Sequence, residues 1–331
     1  MPRLSEILGQ AQATDVLHRA VRAGKLAHAY LFTGPEGVGK ATCARHLAAA
    51  LNCETTPGEG CDGARCVSCH KVSAGLHPDL LHIEPDGAYI KIGQVRAIEE
   101  QLAFAPHEGR YRLVLIDGAD LLNINAANAL LKSVEEPRPR TLFVLVAAAG
   151  HRVAPTLVSR CQRLRFVPLA PELVLEVIGR LSDAPEPDRR AAAALAEGSP
   201  KRAMRLLQGE QMTFIQQTVG ALLRAAASRE PLEMFETAAA AGKDRQLLAE
   251  VLDVLRVWLR DLLLWREGLA EGRAVNVDQL EGLREGAARL PRVAVLAQLR
   301  AVNAAQAALR GNVNPTLALE HLVLEMRQAA P

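Results

Sequence analysis

A glycine-rich segment that ends in lysine carries the clearest chemical signal in the sequence. It reads Gly34-Pro35-Glu36-Gly37-Val38-Gly39-Lys40, follows the apolar run Ala29–Thr33 and precedes a helical pattern. In this context the glycines let backbone N–H groups surround phosphate oxygens, the helix N-terminus adds positive charge, and the lysine reaches the terminal phosphates. The segment predicts a nucleotide phosphate site, and a glycine-rich structural turn is the alternative.

Side chains that such a site needs for hydrolysis are missing. The residue after the lysine normally holds Mg²⁺ through a hydroxyl, but here it is Ala41, and a helix turns Thr42 away by about 100°. The run Arg112–Asp117 ends in the Asp of a second metal-binding strand, yet Gly118 stands where AAA+ ATPases usually carry a water-activating Glu. For Asp120, a helix cap is favoured over a replacement base.

We therefore predict a degenerate nucleotide site that can take ATP or ADP but does not hydrolyse it. The residues assigned to this site are Gly34, Gly37, Val38, Gly39, Lys40, Ala41, Thr42 and Asp117. The retained lysine and glycines favour binding, whereas the missing groups each carry orders of magnitude in hydrolytic rate.

Four of the six cysteines lie in one short segment with the spacing C-x₇-C-x₄-C-x₂-C: Cys53, Cys61, Cys66 and Cys69. Four thiolates can enclose Zn²⁺ tetrahedrally, and a site closed by four ligands is structural rather than catalytic. The alternatives are reduced, inert cysteines or a redox pair. His70 is expected to be a bystander, and Cys43 and Cys161 are expected to be buried small apolar residues.

The elements that position these groups follow from the wider pattern. In residues 4–167, helical patterns alternate with the apolar runs Ala29–Thr33, Arg112–Asp117 and 142–146. Short apolar runs flanked by helices are typical of a parallel sheet covered on both faces. The first half is therefore predicted to be α/β, with no strands after Pro168.

The rest of the chain is predicted to be helical. Glu197-Gly198-Ser199-Pro200 supplies a helix stop and a new start, and the Ala-rich tracts 191–194 and 238–241 indicate helix. A leucine repeat places Leu248, Leu252, Leu255, Leu259 and Leu262 on one face of a long helix. Trp258 and Trp265 share a helix face, for which core packing is favoured over a subunit contact. Charged residues of the same helix are expected at its surface: Arg256, Arg260, Asp261 and Arg266.

Length and composition restrict the function classes. The 331 residues, 49% of them hydrophobic, suffice for two or three domains, and 3% aromatic residues favour helix-rich packing. The formal charge of +2 gives no electrostatic basis for wrapping nucleic acid without partner chains. There is no signal-peptide core or apolar stretch of membrane-spanning length. A soluble, cytoplasmic protein with no membrane partner is expected.

Several stretches resemble the bacterial clamp-loader family. They are His28-Ala29-Tyr30-Leu31-Phe32-Thr33-Gly34, His77-Pro78-Asp79, residues 127–137, Ser159-Arg160-Cys161 and residues 314–320. The resemblance implies an AAA+ P-loop domain with the four-cysteine module (1–168), a small helical lid (169–209) and a helical collar (210–331). Through such collars, five subunits form a ring.

The family resemblance also implies a role. Motor subunits keep the hydrolytic groups, but this chain has Ala147-Ala148-Ala149 in place of the polar sensor and Lys201 where motors generally carry arginine. The resemblance therefore implies a non-hydrolysing subunit of the DNA polymerase III holoenzyme that helps to load the sliding clamp onto primed DNA. Its expected partners are gamma/tau and delta subunits in a hetero-pentamer. An active gamma/tau-type motor and a free-standing P-loop kinase or NTPase are the alternatives.

Arg160, in Ser159-Arg160-Cys161, is assigned a catalytic role by the resemblance alone. In the family this triplet presents an arginine finger to the ATP site of a neighbouring subunit. A guanidinium suits the role because it is permanently charged and offers a rigid fork of donors to phosphate oxygens. Without the family context, Arg160 beside Arg163 and Arg165 would be a solvated basic edge.

Overall fold

The computed structural model describes residues 3–208, 211–227, 245–270, 274, 280–310 and 313–329. The chain divides into two compact units. The first comprises Met1–Val177 and Glu197–Lys201, and the second comprises Ile178–Ala196 and Arg202–Pro331. The three-domain division at 168 and 209 stays a prediction.

The apolar runs of the first unit form a parallel sheet. Its strands are β1 (Ala29–Thr33), β2 (Leu80–Ile83), β3 (Arg112–Asp117), β4 (Thr141–Ala147) and β5 (Gln162–Arg165). Their order is β2-β3-β4-β1-β5 and every neighbouring pair is parallel. All the carboxyl ends of the strands therefore meet at one edge of the sheet.

The α/β prediction is confirmed, and so are the three predicted strands, with β4 one residue longer at each end than 142–146. Two further strands, β2 and β5, were not predicted. Most of their side chains are partly or fully exposed, with only Ile83 and Leu164 buried. Their sequences therefore lack the continuous apolar run that marks a fully buried parallel strand.

Helices alternate with these strands along the chain. They are α1 (Ala11–Arg22), α2 (Lys40–Asn52), α3 (Val67–Ser73), α4 (Ile92–Leu102), α5 (Ile124–Glu135), α6 (Pro155–Val158) and α7 (Pro171–Gly179). Asn123 starts α5 as its N-cap by accepting a hydrogen bond from Ala126 N at 2.8 Å. Strand β4 is buried along its whole length, and α4 and α5 contribute Ile98, Leu130 and other apolar side chains to the same core.

A buried ion pair fixes the loop between α4 and β3. The carboxylate of Asp79 accepts hydrogen bonds from the backbone N–H groups of His107, Glu108 and Gly109 at 2.7–2.9 Å and pairs with Arg112 at 3.2 Å. Burial alone would raise the pKa of Asp79, but these donors outweigh it and hold the pKa below its ordinary value. The His77-Pro78-Asp79 motif thus has a structural role in this chain.

The second unit is helical throughout its described part. It contains α8 (Glu186–Leu195), α9 (Pro200–Leu207, from Arg202 onward), α10 (Gln211–Ala227), α11 (Arg245–Arg266), α12 (Leu280–Arg289), α13 (Arg292–Arg310) and α14 (Pro315–Gln328). The five repeated leucines of α11 are all fully buried, as predicted. The Ala-rich tract 191–194 lies in α8, and the tract 238–241 lies outside the described residues.

Side chains of α11 show one correct and one wrong prediction. Trp258 and Trp265 pack against a core cluster of Leu262, Leu283 and Val295, which confirms core packing. Asp261 is fully buried and pairs with Arg260 at 2.9 Å, so its predicted surface position is wrong. Within the described part of the chain, no helix combines the length and apolar character needed to span a bilayer.

Candidate functional site

The glycine-rich segment forms a tight loop between β1 and α2, at the carboxyl edge of the sheet. Gly34 and Gly39 have φ of +148° and +98°, in the region that favours glycine. A Cβ on Gly34 would lie 2.2 Å from the carbonyl oxygen of Phe166, which follows β5. The backbone therefore passes too close to β5 for any other residue at position 34.

Lys40, the first residue of α2, is almost fully buried at the centre of this loop. Its ammonium donates to the carbonyl oxygens of Gly34, at 2.6 Å, and Pro35. Burial lowers the pKa of Lys40, and the nearby carboxylate of Asp117 acts in the opposite direction. The loop, the helix N-terminus and the ammonium lie together as a candidate phosphate cradle, and phosphate binding there stays a prediction.

Residues at the start of α9 lie directly against Gly37. A Cβ on Gly37 would lie 2.2 Å from Ser199 Oγ and 2.6 Å from Lys201 Cβ. Lys201 Nζ pairs with Glu36 at 2.7 Å, but both side chains are more than 70% exposed. This ion pair adds little stability and leaves Lys201 beside the phosphate loop, where the resemblance expects an arginine.

Gln10 is a buried residue of this region that the sequence did not single out. Its Nε2 donates to the carbonyl oxygens of Val167 at 2.8 Å and Val38 at 3.3 Å, and its Oε1 accepts from Val167 N at 3.0 Å. One amide therefore joins the phosphate loop to the backbone that follows β5. No local pattern identifies such a residue, because Val167 is 157 positions away in the sequence.

Three ligand-type side chains meet at the ends of β2 and β3. Ligand atoms of His82, Glu84 and Asp117 lie within 4.8 Å of one another, close enough to share a cation. Burial raises the pKa of Asp117, partly countered by His82, and burial lowers the pKa of His82. The sequence predicted only Asp117 here, because β2 was not recognised. Ala41 has no ligand atom, and Thr42 is exposed on α2.

Gly118 is held in a conformation that other residues adopt only with strain. It directly follows β3 with φ +96°, and a Cβ there would lie 3.1 Å from Pro85 Cγ. The absence of a Glu at position 118 is therefore tied to the backbone conformation, and a single substitution cannot introduce one there without strain.

Asp120 is not the cap of a following helix, so that prediction is wrong. It lies within a 3₁₀ turn, Ala119–Leu121, and its carboxylate accepts hydrogen bonds from Ala148 N at 3.3 Å and Ala149 N at 3.0 Å. These amides occupy the position after β4 where a polar sensor was expected. The carboxylate is committed to this backbone and is poorly placed to activate water.

The four cysteines of the spaced motif come together. Their sulfur atoms all lie within 4.8 Å of one another, three of the residues are buried, and Cys53 Sγ lies 4.0 Å from Cys66 Sγ. A tetrahedral zinc–thiolate site needs sulfur–sulfur separations of about 3.8 Å, so the donor set fits. Burial would raise the pKa of Cys53, but hydrogen bonds from Thr55 and Thr56 lower it to about 6.

The sequence also made predictions for His70, Cys43 and Cys161. His70 is exposed and is not among the clustered ligand atoms. Cys43 is fully buried as predicted, and burial raises the pKa of its thiol. Cys161 is only partly buried, and burial raises its pKa to about 11.

Arg160 lies in the short connection between α6 and β5. Its Nε and Nη2 pair with Glu135 Oε1, and its Nη1 donates to Thr156 O at 2.8 Å and Ser159 Oγ at 3.3 Å. The side chain is about one-third exposed, at 34%. The Arg160 side chain is therefore fixed by hydrogen bonds and still partly accessible to solvent. Arg163 and Arg165 are exposed residues of β5.

The sheet places Arg160 far from the phosphate loop of its own chain. Gln162, two residues after Arg160, pairs with Tyr30 near the start of β1, whereas the phosphate loop begins after the end of β1. A strand of this length separates the two edges by roughly 15 Å. Arg160 thus lies on the amino-terminal side of the sheet and cannot serve the cradle on the carboxyl edge.

Two family models match separate parts of the chain. A family model described as "DNA polymerase III, delta subunit" matches residues 9–170, and "DNA polymerase III, delta subunit, C terminal" matches residues 211–328. The chain is 30% identical over 322 residues to DNA polymerase III subunit delta' of Bacillus subtilis (strain 168), covering 96% of each chain.

The chain is also similar to a tau subunit and to solved structures. DNA polymerase III subunit tau of Bacillus subtilis (strain 168) is 28% identical over 358 residues, which covers 99% of this chain but 62% of tau. The crystal structure of a DNA polymerase III gamma subunit-related protein from Thermotoga maritima covers 94% of this chain and 98% of its own, with 16% identity and a TM-score of 0.44.

The backbone at Gly118 leads to a stability prediction. Gly118→Glu should lower the free energy of unfolding by about 1–3 kcal/mol. The backbone would force the new residue into the left-handed region, and its Cβ would crowd Pro85. Gly93→Glu is the matched control, since Gly93 lies in α4 with an ordinary φ and open space around its Cβ. Urea unfolding of both variants measures the difference, and equal stability would refute the backbone argument.

Proposed function

The chain belongs to the delta-prime family of DNA polymerase III clamp-loader subunits, and from this premise we propose that it binds nucleotide without hydrolysing it and lends Arg160 to a neighbouring subunit. It is a clamp-loader subunit with an AAA+ P-loop fold. In this role the chain is a non-hydrolysing subunit, or stator, and the gamma/tau motor subunits hydrolyse ATP.

The observation that carries the proposal is the placement of Arg160 across the sheet from its own phosphate loop. An arginine finger must reach the transferring phosphoryl group, and the nearest cradle in this chain lies at the opposite edge. The phosphate that Arg160 serves therefore belongs to another subunit. β5 is an edge strand and Arg160 is partly exposed, so a second molecule can approach it.

The nucleotide site supports binding rather than turnover. Lys40, the loop glycines and the N-terminus of α2 supply the contacts that hold phosphates. Ala41 removes the hydroxyl ligand of Mg²⁺, Gly118 removes the base, and the amides of Ala148 and Ala149 are occupied by Asp120. The bound ATP or ADP would therefore be a structural ligand that stabilises the fold by mass action.

Zinc is the metal proposed for Cys53, Cys61, Cys66 and Cys69. Thiolates favour Zn²⁺ over Mg²⁺ or Ca²⁺, and four protein ligands leave no open position for chemistry. The module begins where α2 ends and includes the N-cap of α3, so the metal would tie these two helices together.

The proposed partners are the gamma/tau and delta subunits, joined in a hetero-pentamer through helices of the second unit. The sliding clamp and primed DNA would be engaged through the complex, in agreement with a net charge of only +2. This role places the chain in the cytoplasm, where the chromosome is copied.

An active gamma/tau-type motor is the second candidate, favoured by the similarity to tau over 99% of this chain. Such a motor needs the metal ligand, the base and the sensor together, and this chain lacks all three. The similarity reflects the shared fold and phosphate loop. The non-hydrolysing role is therefore preferred.

The finger role makes a prediction for the assembled loader. Arg160→Ala should reduce ATP hydrolysis at the adjacent site by about 10³-fold or more, since arginine fingers contribute on that scale, and should slow clamp loading. Arg163→Ala, which removes the same charge from an exposed position on β5, should leave hydrolysis unchanged. Single-turnover phosphate release by the reconstituted complex measures both, and normal turnover with Arg160→Ala would remove the finger assignment.

The zinc proposal makes a separate prediction. Purified protein should contain about one zinc per chain, and Cys69→Ser should lose it because three thiolates hold the metal far less tightly. Cys161→Ser, outside the cluster, should retain full zinc content and serves as the matched control. Elemental analysis decides the matter: well under one zinc in the unaltered chain would show that the cysteines are simply reduced thiols.

A further inference from the structure

Glu135 occupies an unusual place for an acidic residue. It is the last residue of α5, where the helix dipole presents its negative end, and Glu136 follows it directly. A carboxylate at this position is disfavoured by the dipole, and a nearby cation offsets that cost. Arg160 provides that cation, although it lies 25 residues further along the chain.

The contacts of Arg160 account for most of its hydrogen-bonding capacity. A guanidinium has five N–H donors in a fixed fork. Two of them face Glu135 Oε1, and two more are directed to Thr156 O and Ser159 Oγ. Among the contacts of the described chain, one Nη2 hydrogen remains, and it lies on the partly exposed side chain.

We propose that Glu135 is a positioning residue that orients the Arg160 guanidinium, so that its remaining donor is presented to a phosphate of the neighbouring subunit. This inference rests on the proposed finger role of Arg160. Glu135 itself touches neither nucleotide nor reacting atoms. Its carboxylate holds one edge of the fork while Thr156 and Ser159 hold another, which removes rotamer freedom from a long side chain before the neighbour arrives.

Positioning predicts a particular kinetic signature. A loose arginine still meets the phosphate part of the time, so losing Glu135 should lower kcat at the neighbouring site and leave the KM for ATP nearly unchanged. An ordinary surface ion pair would affect stability slightly and kcat not at all. The two roles are therefore separable by kinetics on the assembled loader.

The experiment compares five variants of this chain in the loader reconstituted with its gamma/tau and delta partners. Glu135→Ala should lower kcat for hydrolysis at the adjacent site by roughly 5- to 50-fold, with KM within about twofold of normal. Glu135→Gln keeps an oxygen acceptor for the guanidinium and should recover part of that loss. It also replaces Glu135→Ala as the test if the alanine variant does not assemble.

Controls and a double variant complete the design. Glu136→Ala removes the same charge at the adjacent exposed position and should leave kcat normal. In the Arg160→Ala background, Glu135→Ala should cause no further loss, because the residue acts only through Arg160. An additive loss, a normal kcat or a faster kcat with Glu135→Ala would each overturn the inference.

The outcomes also separate this inference from the finger role on which it rests. If Arg160→Ala slows hydrolysis and Glu135→Ala does not, only the positioning role fails. If Arg160→Ala has no effect, the finger role fails and the positioning role fails with it.

Discussion

The parallel direction of all five strands is the constraint on which the rest of this structure depends. Because every strand ends at the same edge, the phosphate loop after β1, Asp117 at the end of β3 and the alanines after β4 converge there. Residues that precede a strand must lie at the opposite edge, and Arg160 precedes β5. In the proposed function, one molecule therefore carries the cradle of one site and lends Arg160 to another, and the assembly of subunits brings the two together.

The cradle has kept its architecture although its hydrolytic groups are gone. Buried contacts still enforce the loop: Phe166 excludes a side chain at Gly34, and Gln10 joins Val38 to Val167. In contrast, the backbone at Gly118 has a left-handed conformation in which a catalytic Glu would be strained. Selection for a folded nucleotide site without selection for turnover would produce this combination. In the proposed function, Arg160 and the residues around it contribute to hydrolysis at a neighbouring site, whereas the chain's own nucleotide site does not turn over.

The sequence predicted the features that depend on local pattern. Apolar runs located β1, β3 and β4, the leucine repeat located α11, and the cysteine spacing located a cluster whose sulfur atoms do meet. It missed β2, whose four residues include His82, and β5, whose side chains other than Leu164 are exposed, because neither strand gives a continuous apolar signal. Gln10, His82, Glu84 and Glu135 were missed because their roles depend on neighbours brought close only by the fold. The predictions for Asp120 and Asp261 were wrong for the same reason. A charged residue is expected to be a surface or capping group until its tertiary partners are known.

The central claim, a retained cradle that does not turn over, is tested most directly by single-turnover hydrolysis with the isolated chain. The protein is held in excess over radiolabelled ATP with Mg²⁺, and bound nucleotide and released phosphate are followed together. ATP should bind, and phosphate release should stay at the rate of a protein-free blank. Release of a stoichiometric amount of phosphate on the timescale of a motor subunit, about one second or less, would contradict it.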